Sequence, residues 1–274
     1  MRGPGVSRFF EANDLRFHTV EWPGTDPPLV LLHPNRANAR VWDFMVANSK
    51  LRNRFVAVDL RGHGQSEWPN KGYQLEDYVK DVIAVIEKLS PSPVILVGGA
   101  TGGNIGLLVA TIRPDLVRGL AVIDPGLSLD PAINARVQDQ IEHEHSFSNR
   151  TQAVESLPFS SLWSTANKEF YADHAFREQD DGSWEGTYSK TAARETEHAL
   201  VPEMWDKIRV VCPTLAVRGD RSEVFGREKL VRLGSLITDC IIAEMPRSDH
   251  RVMQDNPETL AALLDGFAIM LMDG

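Results

Sequence analysis

The sequence predicts an α/β fold, a mostly parallel sheet of eight strands flanked by helices, with one inserted helical cap. Three observations carry this. Short, nearly all-apolar runs recur along the chain, as strands buried on both faces do. Amphipathic or fully apolar helical periods separate them, the alternation that builds βαβ units. The alternation then breaks once, for almost ninety residues between Asp124 and Pro213.

The first two strands, Ser7–Ala12 and Leu15–Trp22, flank an Asn13-Asp14 turn and read as a hairpin. The buried strands follow at Pro28–His33, Phe55–Leu60, Val94–Gly98, Gly119–Asp124, Thr214–Arg218 and Cys240–Met245. Between them, Leu75–Leu89 places Val79, Val82, Ile83 and Ile86 on one helical face. Gly103–Ile112 is apolar nearly all round, as a helix packed deep against a sheet is. Pro257–Met272 is an amphipathic closing helix whose proline suits the first turn. The stretch without buried strands is polar, rich in helix formers and too long for one loop. It is read as a helical cap over 127–207, between core segments 1–126 and 208–274, with Asp180-Asp181-Gly182 as an internal turn.

Composition narrows the function. A chain of 274 residues with 42% hydrophobic and 24% charged residues is ordinary for a soluble globular protein. A formal charge of −9 argues against nucleic acid and against anionic membranes. The expected partner is a small-molecule substrate, and a homodimer stays open. Met1–Phe10 lacks the apolar stretch of a signal peptide, and no run approaches the length of a membrane span, so a cytoplasmic location is expected. Cys212 and Cys240 do not make a disulfide framework and read as buried free thiols. No cofactor is implied: the glycines at 98, 99, 102 and 103 fit neither a phosphate loop nor a dinucleotide fingerprint. His143-Glu144-His145 does not read as a metal site, since residues i and i+2 do not share a helix face.

The chemistry centres on Val94–Gly103, where a buried strand enters a tight turn and then an apolar helix. Gly98-Gly99-Ala100-Thr101-Gly102 has the spacing of the Gly-x-Ser-x-Gly nucleophile elbow. Leu31-Leu32-His33, Asp59-Leu-Arg-Gly-His-Gly-Gln-Ser66 and Ser248-Asp249-His250 follow the order of three further motifs. Over almost its whole length the chain resembles the α/β-hydrolase superfamily. The resemblance implies a nucleophile at Ala100, a general base at His250 and oxyanion donors in the N–H groups of Thr101 and Asn35, since Pro34 has none. It makes His33, Arg61 and His63 structural. The acid that orients His250 has two homes. Asp124 ends an apolar strand, where α/β sheets bind ligands. Asp220 and Glu223 lie after the strand that follows the cap, where Ser222 occupies the family's usual aspartate place.

Alanine at position 100 is the departure that matters, because a methyl group cannot attack a carbonyl. Read as a disabled nucleophile, in an engineered inactive variant, it implies a hydrolase of esters, lactones or amides in small apolar or aromatic molecules. Trp163, Trp184 and Phe159 of the cap then line the pocket or fill the cap's own core. Three other readings stay open. Thr101 is the nucleophile with the elbow shifted by one residue. The His250–Asp124 pair serves a cofactor-independent dioxygenase or lyase, which needs only a base. The chain binds a small ligand without catalysis.

Overall fold

The computed structural model describes residues 2–143, 146–157, 165–199 and 204–273. Strands β1 (Val6–Ala12), β2 (Leu15–Trp22), β3 (Thr25–Leu32), β4 (Asn53–Val58), β5 (Val94–Gly99), β6 (Val117–Ile123), β10 (Thr214–Gly219) and β11 (Cys240–Met245) form one sheet. Strands β7 (Ser146–Phe147), β8 (Phe176–Glu178) and β9 (Trp184–Gly186) form a second, smaller one. The helices are α1 (Asp43–Asn48), α2 (Leu75–Leu89), α3 (Thr101–Ile112), α4 (Pro131–His143), α5 (Arg150–Ser156), α6 (Thr165–Ala175), α7 (Lys190–Ala199), α8 (Arg227–Leu236), α9 (Val252–Asp255) and α10 (Pro257–Asp273).

The large sheet runs in the order β1-β2-β4-β3-β5-β6-β10-β11, antiparallel at its first two pairings and parallel from there on. The first hairpin turns on Asn13 and Asp14, both left-handed at φ 46° and 60°, the conformation that matches the twist of paired strands. The apolar runs are explained by their two faces. Val30 and Leu32 of β3 pack with α2 and α3 on one side, and Leu29 and Leu31 pack with α1 and α10 on the other. Each such fully buried side chain contributes about 1.5–3 kcal/mol relative to exposure. The long α3 is buried from Thr101 to Ala110, which is why it shows no polar stripe.

Between β6 and β10 the described residues hold helices α4–α7, as the sequence implied, and also the three-stranded antiparallel sheet, which it did not. The Asp180–Gly182 turn is the hairpin joining β8 to β9, with Gly182 at φ 82° and Gln179 N–H donating to the Ser183 carbonyl at 2.8 Å. Strands of two or three residues are too short to show a period-two pattern. Cys212 is buried as expected, but Cys240 is only half-buried, because β11 is the edge of the sheet. Both thiols are free, and burial pushes each up to about 11. No described helix is long and apolar enough to cross a membrane.

Candidate active site

The turn from β5 into α3 is built by close approach. A Cβ on Gly98 would strike the carbonyl of Gly102, and one on Gly102 would strike that of Leu32. At its apex Ala100 has φ 46° and ψ −113°. Residues with a Cβ avoid this region at a cost of about 1–3 kcal/mol, so Ala100 is held under strain by its surroundings. Its N–H is tied to the Ile123 carbonyl at 2.8 Å and its carbonyl accepts from Asn104 N–H at 3.1 Å. Thr101 is already the first residue of the helix and is buried. The apex of the elbow is therefore residue 100, which argues against the register shifted to Thr101. The Thr101 N–H is one of the donors that a helix N-terminus leaves unsatisfied.

Asp124 follows β6 in a left-handed conformation, φ 50°, with its N–H donated to the Val217 carbonyl at 2.7 Å. Its carboxylate is fully buried and spends both oxygens. Oδ2 accepts from Gly219 N–H at 2.8 Å, while Oδ1 accepts from Ser222 Oγ at 2.6 Å and lies 2.7 Å from His250 Nδ1. A buried carboxylate is an acceptor only, so Nδ1 carries the proton and Nε2 is left as the basic nitrogen. Ser222, at the place of the family's usual aspartate, thus holds Asp124 rather than replacing it. The rival acids lie elsewhere: Asp220 accepts from Ser248 N–H at 3.0 Å, and Glu223 meets Arg136 on the surface at 3.5 Å. The loop bearing His250 is pinned on Gly219, where a Cβ would strike the carbonyls of Ser248 and Asp249.

The loop after β3 supplies the opposite wall. His33 donates from Nδ1 to the Pro34 carbonyl at 2.7 Å and accepts at Nε2 from Leu60 N–H at 3.0 Å. Burial lowers its pKa, which suits this neutral, loop-packing role. Asn35 ties the loop to the cap, its Nδ2 donating to the Ala193 carbonyl and to Glu197 Oε1, each at 2.9 Å. The backbone N–H of Asn35 has no partner among the described residues. His63 is also involved: buried and held down to about 3 by desolvation and by His33, it stays neutral, and its Nε2 lies 3.3 Å from Arg36 N–H and 3.0 Å from Asn35 Oδ1. His63 is structural, as the resemblance implies, and Ser222 at the aspartate's place binds the acid. Their contacts are with loops far away in sequence, which no local pattern announces.

Ala100, Thr101, Asn35 and His250 all line one cavity of about 710 Å³, walled also by residues of the segment between β6 and β10, within the range of small-molecule sites. That segment contributes Leu157, Tyr171, Phe176 and Tyr188. Trp184 is not among the lining residues; it pairs with Phe147 and Glu178 in the small sheet and packs against the core. Phe159 and Trp163 lie outside the described residues, as do Glu144 and His145. Among the described residues no group of three or more His, Cys, Asp or Glu could hold a metal ion.

A strained turn, an imidazole–carboxylate pair and the loop after β3 thus line one cavity. The chain belongs to the alpha/beta hydrolase family, whose sequence profile matches residues 29–263. It is 28% identical over 258 residues to a 2-(acetamidomethylene)succinate hydrolase of Mesorhizobium japonicum, covering 89% of each chain. It is 25% identical over 274 residues to haloalkane dehalogenase 2 of Mycobacterium tuberculosis, covering 95% of this chain and 94% of that one. An esterase of the same organism is 25% identical over 260 residues, covering 90% of this chain and 84% of the esterase. A crystal structure of an E-2-(acetamidomethylene)succinate hydrolase superposes with a TM-score of 0.87 at 24% identity, covering 96% of this chain and 99% of that one, a likeness of fold. These relatives support an α/β-hydrolase activity of the general kind for this chain.

Proposed function

We propose that the cavity is the acyl-binding site of a hydrolase for carboxylic ester, lactone or amide bonds in a small molecule, and that Ala100 stands in the nucleophile's place. The single observation that carries this is the 2.7 Å bond from His250 Nδ1 to the fully buried Asp124, with His250 sharing a cavity wall with a left-handed residue at the elbow. The alanine is itself informative. A position whose only task was to turn the chain at φ 46° would be served better by glycine. Keeping a Cβ there fits a site built to project a side chain. The acetamido group in the name of the Mesorhizobium relative's substrate supports including amides.

With a serine at position 100, its Oγ would attack the carbonyl while His250 Nε2 takes the proton. Asp124 would stabilise the imidazolium, and the N–H groups of Thr101 and Asn35 would stabilise the oxyanion. His250 would then return the proton to the leaving group, and water would repeat the sequence to release the acid. The chain with Ala100 binds substrate but forms no acyl-enzyme. The test is turnover of a panel of activated aryl esters and lactones by the protein and by Ala100→Ser, side by side. Only the substituted form is expected to hydrolyse them, with a burst of released phenol equal to the enzyme. Failure of both forms overturns the reading.

A second reading draws on the intact His250–Asp124 pair beside a residue that cannot attack. In it Nε2 removes a proton from the substrate directly, for oxygen-dependent or lyase cleavage without a covalent intermediate. Oxygen uptake or carbon–carbon cleavage by the unsubstituted protein would favour it.

A further inference from the structure

Two of the residues that line the cavity carry a charge that the relay does not use. Arg36 follows the oxyanion donor Asn35, and Arg251 follows the base His250. Both are half-buried; the Arg251 side chain is 35% exposed. The backbone of Arg36 is fixed in a left-handed conformation, φ 60°, with its N–H on Asn35 Oδ1 at 3.0 Å. Its guanidinium has no hydrogen bond or ion pair among the described residues. Arg251 lies 3.4 Å from Asp249, and Asp255 is a second carboxylate whose charge acts on it. The other cations on the wall are answered at the surface, Arg136 by Glu223 at 3.5 Å and Arg221 by Asp220 at 4.0 Å. The third lining acid, Glu197, accepts from Asn35.

We propose that Arg36 and Arg251 form a carboxylate-binding subsite beside the reacting bond, so that the substrate is an acyl compound bearing its own free carboxylate. This rests on the reading of the cavity as an acyl-binding site and changes the expected substrate from a purely apolar molecule to an amphipathic one, with its apolar part toward Leu157, Tyr171 and Phe176. The electrostatics favour it from two sides. Withdrawing a guanidinium from water without a counter-charge is costly, and a ligand carboxylate supplies that charge in a planar, bidentate geometry. The two arginines also feel each other: burial lowers the Arg251 pKa and the charge of Arg36 lowers it further, against the opposing pull of Asp249, Asp255 and Tyr171. An anion between them relieves that repulsion. It also removes a penalty from the reaction, because His250 must become an imidazolium beside two cations.

The test needs no turnover. Binding of N-(4-nitrophenyl)succinamate and of its methyl ester to the unsubstituted protein is measured by calorimetry. These probes differ only at one end, a charged carboxylate in one and its neutral methyl ester in the other. The free carboxylate is expected to bind about 10- to 100-fold more tightly, the scale of a charge-assisted contact. That preference should collapse to near one in Arg36→Met and fall in Arg251→Met, while Arg36→Lys keeps part of it. Circular dichroism confirms that each variant is folded. Equal affinity for the two probes, or a preference untouched by Arg36→Met, overturns the subsite. Because the readout is binding, failure of Ala100→Ser to hydrolyse esters would leave this result standing, and loss of the preference would leave the relay standing.

Discussion

Among the described residues two imidazole–carboxylate pairs share one length. His18 Nδ1 lies 2.7 Å from Asp59, and His250 Nδ1 lies 2.7 Å from Asp124. In the first pair both side chains are sealed, 2% and 3% exposed; in the second the acid is sealed and the imidazole is 33% exposed. The Nε2 of His18 is buried with no partner among the described residues, whereas His250 faces a cavity. Asp59 spends its remaining capacity on the backbone, accepting from Ala39 N–H at 2.6 Å and Gln65 N–H at 2.8 Å. Burial alone would raise its carboxyl, but the bond and charge of His18, with His33 and Ala39, hold it below the usual range. On the proposed function, bond geometry therefore does not separate a structural pair from a chemical one. Access to the second ring nitrogen does.

The difference can be broken from either side. The largest effect is expected at the open pair. In the Ala100→Ser background, Asp124→Asn should lower kcat by about 10⁴-fold, because the amide leaves His250 in the wrong tautomer. Denaturant unfolding and ester kinetics on the same samples check that the loss is catalytic. At the sealed pair the signature inverts. Asp59→Ala strips partners from His18 and from two backbone donors, so it should cost about 3–5 kcal/mol in unfolding. The kcat of the remaining folded fraction should stay within a few-fold. A drop in kcat as large as that of Asp124→Asn would show that the two pairs are not distinct in role.

A partly buried carboxylate sharpens the point, because it has no imidazole at all. Asp43 keeps one oxygen buried without a partner among the described residues and meets only Arg40, at 3.4 Å. Burial raises its pKa from 3.8 to about 6, against the pull of Arg40. The folded state then holds this proton more tightly than the unfolded chain. Its contribution is complete below pH 4 and is lost as the pH rises through 6. Asp43→Asn should therefore stabilise the protein by about 2 kcal/mol above pH 6 and by nothing near pH 4. Urea unfolding at the two pH values reads the difference, and an equal effect at both would contradict it.

The sheet was legible because its inner strands are buried runs bounded by turn residues; the edge strands β1 and β11 are largely exposed, so Cys240–Met245 falls where the pattern puts it but is not the buried strand it read as. The elbow was legible for a related reason: glycines 98 and 102 are demanded by backbone contacts, so spacing betrays the turn. Asp124 could be proposed because a charge at the end of an apolar strand lacks a packing reason. The small cap sheet was not legible, since its strands have two or three residues each. Nor were the roles of Ser222, His63, Arg36 and Arg251. Each depends on which loop the fold brings opposite it, and sequence neighbours say nothing about that.

The claim at the centre of this account is that position 100 is where a nucleophile is aimed and His250 is the base that serves it. The most direct measurement is intact mass after exposure to a fluorophosphonate, for the protein, for Ala100→Ser and for Ala100→Ser with His250→Ala. The account predicts one added phosphonyl group at position 100 in the serine variant, none in the unsubstituted chain, and labelling slowed by orders of magnitude when His250 is removed. A folded Ala100→Ser protein that stays unlabelled, or one that labels at the same rate without His250, would contradict it.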